Sequence, residues 1–156
     1  MDSRGVTSLL TLVPLCFLMT ACTGTRPSNL GIESDHLSAC PSTPNCVSSD
    51  AAREAQRVDG LAYSGPSPAA WLAVREAVLE LPRTKITDEE EGYLRAESTS
   101  FFFRFVDDLE LHHRPSLGII AVRSASRIGR KDFGVNRERV EQLRDLLSSK
   151  LGSNRP

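Results

Sequence analysis

Net charge is the first thing the sequence lacks. Its 156 residues carry 19 basic and 20 acidic side chains. General nucleic-acid binding needs a basic excess, so no nucleic-acid partner is expected. Histidine is scarce. Only His36, His112 and His113 are present, and none lies near a good nucleophile in sequence, so a Ser-His-Asp arrangement could arise only through folding. Long hydrophobic runs are also missing. The apolar stretch from Val6 to Met19 is fourteen residues, too short to span a bilayer comfortably as a mature helix. The chain has no internal repeats. No cofactor and no metal are expected.

That short apolar run has another use. It follows Arg4 and leads into Thr20-Ala21-Cys22, and small residues before a cleavage point mark a secretory signal. The cysteine directly after them resembles the lipobox of bacterial lipoproteins. In that family the peptidase cuts before the cysteine, which is then diacylated on sulfur and acylated on its amine. Met19 stands where Leu is more usual, and Asp2 weakens the basic start. The alternative is an ordinary signal cut near Ala21 that leaves Cys22 free. On the lipoprotein reading, residues 1–21 are a signal peptide and Cys22 carries the membrane anchor. Several acyl chains hold firmly because each buried CH₂ contributes ~0.8 kcal/mol. Thr23 follows the cysteine, where the sorting pattern keeps Asp-bearing chains at the inner membrane. The expected location is therefore the cell envelope, on the periplasmic face of the outer membrane.

Residues 22–39 contain Gly, Ser, Pro and Asn with few large apolar side chains and are expected to form a flexible tether. A single domain is expected over residues 40–152. Cys16 leaves with the signal and Cys22 takes the lipid, so Cys40 and Cys46 remain as an even pair in an exported chain. Pro41 and Pro44 bend the segment CPSTPNC so that a disulfide can close it. A zinc site using His36, Cys40 and Cys46 would lack a fourth nearby ligand.

Within the domain, Arg57 to Ser64 reads as a short edge strand. Ser67-Pro68 then supplies an N-cap and a first-turn proline. Trp71, Val74, Val78 and Leu81 line one helical face, which Pro82 ends. Thr84–Asp88 and Tyr93–Ser98 read as strands joined by the acidic turn Glu89 to Gly92. Alternation from Phe101 predicts a longer strand, with Phe101, Phe103, Phe105, Asp107, Leu109 and Leu111 on one face. Arg114 to Ser116 turns it into a return strand over Leu117–Ser126. Pairing His113 with Gly118 places Asp108 opposite Arg123, and a one-residue slip places Asp107 there. Asn136 is expected to cap a last helix striped by Val140, Leu143, Leu147 and Leu151 and ended by Gly152. The expected fold is α+β, an antiparallel four- to five-stranded meander sheet with two helices packed on one face.

Candidate chemistry concentrates between Arg123 and Arg139, where six basic residues meet two acidic ones. Arg123, Ser124, Ser126, Arg127, Asn136 and Arg137 could hold an anion through charged and hydroxyl donors near a helix N-terminus. The alternative is a scaffold in which these arginines pair with Asp107, Asp108, Glu110 and Asp132. Asp107 and Asp108 are candidate polar or catalytic residues. Neighbours on a strand point to opposite faces, however, so a converging carboxylate pair is not expected. His112 and His113 are expected as exposed residues at a hairpin tip.

Three separated motifs carry a family resemblance: CPSTPNCVSS at Cys40–Ser49, FVDDLE at Phe105–Glu110 and VRSASRIGRKDFGVNR at Val122–Arg137. Together they resemble the family called domain of unknown function 1499, over Cys40 to about Leu147. The resemblance implies an envelope lipoprotein of a kind found in bacteria, with plastid relatives, and brings no established activity. The family pattern has an aromatic and a small polar residue where this chain has Arg130 and Lys131. The function expected is binding of an anionic small molecule, a lipid head group or an envelope protein partner, with attachment to the membrane through Cys22. The alternatives are a hydrolase using Asp107 or Asp108, and an envelope assembly factor without a ligand.

Overall fold

The structure, a computed structural model, describes residues 24–153; the signal segment and Cys22 lie outside these residues. In chain order the elements are β1 (Ile32–Glu33), β2 (His36–Leu37), β3 (Cys46–Ser48), β4 (Leu61–Ala62), α1 (Ser67–Glu80), β5 (Thr84–Glu90), β6 (Tyr93–Thr99), β7 (Val106–Arg114), β8 (Ile119–Ser126) and α2 (Val135–Ser153). The main sheet runs β3-β8-β7-β6-β5, all antiparallel, and β4 shares with β3 the edge beside β8. Strands β1 and β2 form a separate small hairpin. The class is α+β, as expected, with six strands in the main sheet.

One sheet face is apolar. Leu94 and Ala96 of β6 lie beside Leu111 and Leu109 of β7, and Leu111 lies beside Val122 of β8. Against this row pack Val74, Ala77 and Val78 of α1 and Val140, Leu143 and Leu147 of α2. Burying each large aliphatic side chain contributes about 1.5–3 kcal/mol, so this layer is the main source of stability. The other face is charged, and it too is covered. The segment expected to be a flexible tether lies across it from Gly24, with β1 and β2 included. The Gly31 amide donates to Glu110 and the Leu37 amide to Asp50.

Several local expectations change. The β7 strand starts at Val106, not Phe101. Thr99 of β6 pairs with Val106, so residues 100–105 are the connection between the two strands and have no partner strand of their own. The turn between β7 and β8 is a 3₁₀ turn over Pro115–Leu117 closed by Gly118 at φ 64°, a left-handed conformation that glycine adopts without steric cost. This turn moves the pairing by two residues. Leu111 faces Val122, and Arg123 faces Glu110 rather than an aspartate. Ser67 is the first residue of α1 and makes no capping bond, its hydroxyl being turned to Tyr63 and His113. Asn136 is the second residue of α2 rather than its cap. The Asp132 carboxylate accepts from the Gly134 and Asn136 amides instead. The helix runs through Gly152 to Ser153.

Cys40 and Cys46 are joined in a disulfide with Cα atoms 5.7 Å apart. Among the described residues no group of three or more His, Cys, Asp or Glu side chains is placed to hold a metal ion.

Candidate functional sites

Strand alternation sorts the candidate residues onto two faces. Asp108, Glu110, Arg123 and Arg127 lie on the charged face with Arg95 of β6. Arg95 is 1% exposed and donates from Nε and Nη2 to Asp108 Oδ1 at 3.1 and 2.7 Å. It also reaches Glu97 and Asp88. A bulge at Thr87 makes the Asp88 contact possible. The register shifts between Ile86 and Asp88, so Ile86 faces the apolar core while Asp88 sits beside Arg95. Arg127 donates to Asp108 Oδ2 at 2.8 Å and also holds Glu97. Arg123 donates to Glu110 Oε2 at 2.6 Å, while Glu110 Oε1 accepts from the Tyr93 hydroxyl and the Gly31 amide.

These contacts set the protonation states. Hydrogen bonds from Arg127 to Asp108 outweigh burial and raise the Arg127 pKa further above its ordinary value. Burial disfavours ionised Glu97, but hydrogen bonding and charge from Arg127 hold its pKa below the usual carboxylate range. Burial, reinforced by Glu110, pushes the Tyr93 phenol up, so it donates as a neutral hydroxyl.

The remaining candidates lie on the helix side. Asp107 pairs with Arg139 of α2 at 2.7 Å. Asn136, fully buried, accepts from Ser124 and Arg139 and donates to Asn45 O, Ser126 Oγ and Asp132 Oδ2. Arg137 is exposed and donates to the carbonyls of Ala55 and Arg57. Asp107, Arg123, Arg127 and Asn136 therefore do not line one pocket. Arg123 and Arg127 are separated from Ser124, Ser126 and Asn136 by the sheet itself.

Neither histidine is an exposed tip residue. His112 lies under the β1–β2 hairpin, with Arg114 Nε 3.3 Å from its Nδ1, and Arg114 itself is clamped by Asp50. His113 stacks on Trp71 with ring centroids 5.1 Å apart, and its Nε2 lies 3.0 Å from Ser67 Oγ and 3.1 Å from Tyr63 OH. Burial, reinforced by Arg114 at His112 and by His112 at His113, lowers the pKa of both rings below the ordinary 6.5. The unfolded chain thus takes up protons that the folded chain refuses, and stability falls as pH drops through the region below 6.5. The melting temperature should be lower at pH 5.5 than at pH 7.5, and the double variant His112→Gln/His113→Gln should flatten that slope. A wild-type midpoint that stays level or rises on acidification would contradict the burial of neutral rings.

A run of exposed apolar side chains lies on the β6–β7 connection. Phe101, Phe102 and Phe103 are 67, 83 and 72% exposed. The connection is nonetheless built. Ser100 N donates to Phe105 O, Phe105 N donates to Ser100 Oγ, Phe101 and Phe102 meet edge to face, and Phe103 stacks on Phe105. Arg83 lies over the Phe101 ring at 5.7 Å. Three consecutive phenylalanines were a visible signal, but alternation assigned them to a strand and so hid their exposure.

A six-stranded antiparallel sheet with two helices on its apolar face and arginine–carboxylate pairing on the other defines a small α+β domain. The chain belongs to the protein family of unknown function DUF1499, whose model matches residues 36–147. No curated protein matches the sequence.

Proposed function

We propose that this is a lipid-anchored envelope protein whose domain works by binding, and that its binding end is the one bearing Phe101 to Phe105. The observation that carries this is the exposure of Phe101, Phe102 and Phe103 on an ordered connection, since contiguous apolar surface of this kind marks an interaction site. The segment from Arg123 to Arg137 supports a ligand-holding role less well. Arg123 and Arg127 are already engaged by Glu110, Asp108 and Glu97, and Asn136 is held by five hydrogen-bond partners. The hydrolase alternative finds Asp107 and Asp108 on opposite faces, each held by arginine.

A photoreactive side chain placed at Phe102 of the full chain in cells should give a discrete crosslinked product, and one placed at Glu90 should not. Absence of any product at position 102 would remove the proposal. The mature protein from the same cells should carry acyl mass on Cys22; a mass without it would remove the anchor.

A further inference from the structure

The apolar end of the domain can be defined from the strand register. Thr84 pairs with Ser98, Thr99 with Val106, and Asp107 with Ser126. The start of β5, the β6–β7 connection and the exit of β8 therefore share one end of the sheet. The segment between β8 and α2 leaves from this end and adds Phe133, which is 94% exposed. At this end stand Arg83, Arg104, Arg130 and Lys131, all exposed, against the two carboxylates Asp132 and Glu138, so the end is net basic. Glu89 and Glu90 at the end of β5, with Glu91 in the turn to β6, lie at the opposite end. Along the strand direction the domain is thus polarised, aromatic and basic at one end and acidic at the other.

The described chain begins at the same end. Gly24 packs so closely on the exit of β8 that a Cβ placed on it would lie 2.9 Å from Arg127 Cβ and from Ile128 Cγ1. Cys22 is two residues earlier, and covalent geometry keeps its Cα within about 7 Å of that of Gly24. An anchor on Cys22 would thus join the described chain at the end of the domain that carries the phenylalanines.

We infer that this end rests on the membrane that holds the anchor, with Phe101, Phe102, Phe103 and Phe133 in the interfacial layer and Arg83, Arg104, Arg130 and Lys131 on anionic phospholipid head groups. The inference rests on the binding reading above and names the bilayer as the partner. Phenylalanine rings flanked by basic side chains bury their apolar faces at the headgroup–acyl boundary while the charges stay among the head groups. Basic side chains beside them are attracted by an anionic surface, each by roughly fivefold in partition. The acidic turn at the far end is repelled, so the charge pattern fixes orientation as well as attachment. A protein partner would equally cover the phenylalanines. The bilayer is favoured because the anchor, the rings and the basic rim all meet at one end.

The chain provides its own reference probe. It contains one tryptophan, Trp71, which stacks on His113 near the far end of β7. The mature protein and its Phe102→Trp variant would be mixed with vesicles of phosphatidylglycerol carrying brominated acyl chains, which quench indole fluorescence only on contact. Emission of Trp71 should survive, while Phe102→Trp should lose most of its added emission. In phosphatidylcholine vesicles that loss should shrink, and Arg104→Glu/Lys131→Glu should shrink it in phosphatidylglycerol. Quenching at position 102 no greater than at Trp71 would overturn the inference. If position 102 then still crosslinks to a protein in cells, only the bilayer as partner falls. If it crosslinks to nothing, the binding reading falls with it. Equal quenching in both lipids would overturn the role given to the basic rim.

Discussion

Glu110→Ala is expected to lower the unfolding free energy by about 3–5 kcal/mol. Both partners of the Glu110–Arg123 pair are buried, and among the described residues Glu110 is the one carboxylate within ion-pair reach of Arg123. Arg123 already leaves its Nε without a partner, so it has no reserve when Glu110 is removed. The Tyr93 hydroxyl and the Gly31 amide also lose their acceptor. Arg127→Ala should follow at roughly 3 kcal/mol, somewhat less because Asp108 and Glu97 both keep Arg95. If Arg127 instead held an anion at the surface, its loss would cost little stability. Chemical denaturation of the three proteins decides between these outcomes. An Arg127→Ala protein within about 0.5 kcal/mol of wild type would show a surface arginine, not a part of the scaffold.

Asn136→Ala should cost about 2–4 kcal/mol, since each buried polar group left unpaired costs about 1–3 kcal/mol. Its amide donates to the Asn45 carbonyl, so one side chain ties α2 to the disulfide loop and, through Ser124 and Ser126, to β8. Asn136→Asp gives a sharper test. It replaces a donor 2.9 Å from Asp132 Oδ2 with a second carboxylate, so two negative charges oppose one another. That variant should be more strongly destabilised at pH 7 than the alanine variant and should regain part of the loss on acidification to about pH 5, where the raised carboxyl pKa keeps a proton between them. A loss that is the same at both pH values would mean that Asn136 and Asp132 are not in contact.

The sequence carried the parts of the fold that depend on side-chain periodicity. Val140, Leu143 and Leu147 mark α2, Val74 and Val78 mark α1, and all five are buried. The four-strand meander and the opposed directions of Asp107 and Asp108 follow from alternation. What could not be read depends on the backbone. The segment over the charged face binds through the Gly31 and Leu37 amides, and a backbone amide leaves no mark in composition. Strand β3 is three residues long, below the length at which periodicity is visible. The partner of Arg123 depended on how the chain turned between Arg114 and Ile119, and Asp88 joined the charged layer only because of a bulge.

The same bulge has a consequence for self-association. Strand β5 ends the main sheet, and its outer edge presents backbone donors and acceptors to which a second copy could add a strand. The irregularity at Thr87 interrupts the regular ladder, and Lys85, Asp88, Glu89 and Glu90 place charge along the same strand. A second copy approaching this edge meets a broken ladder flanked by charged side chains, which guards against edge-to-edge pairing.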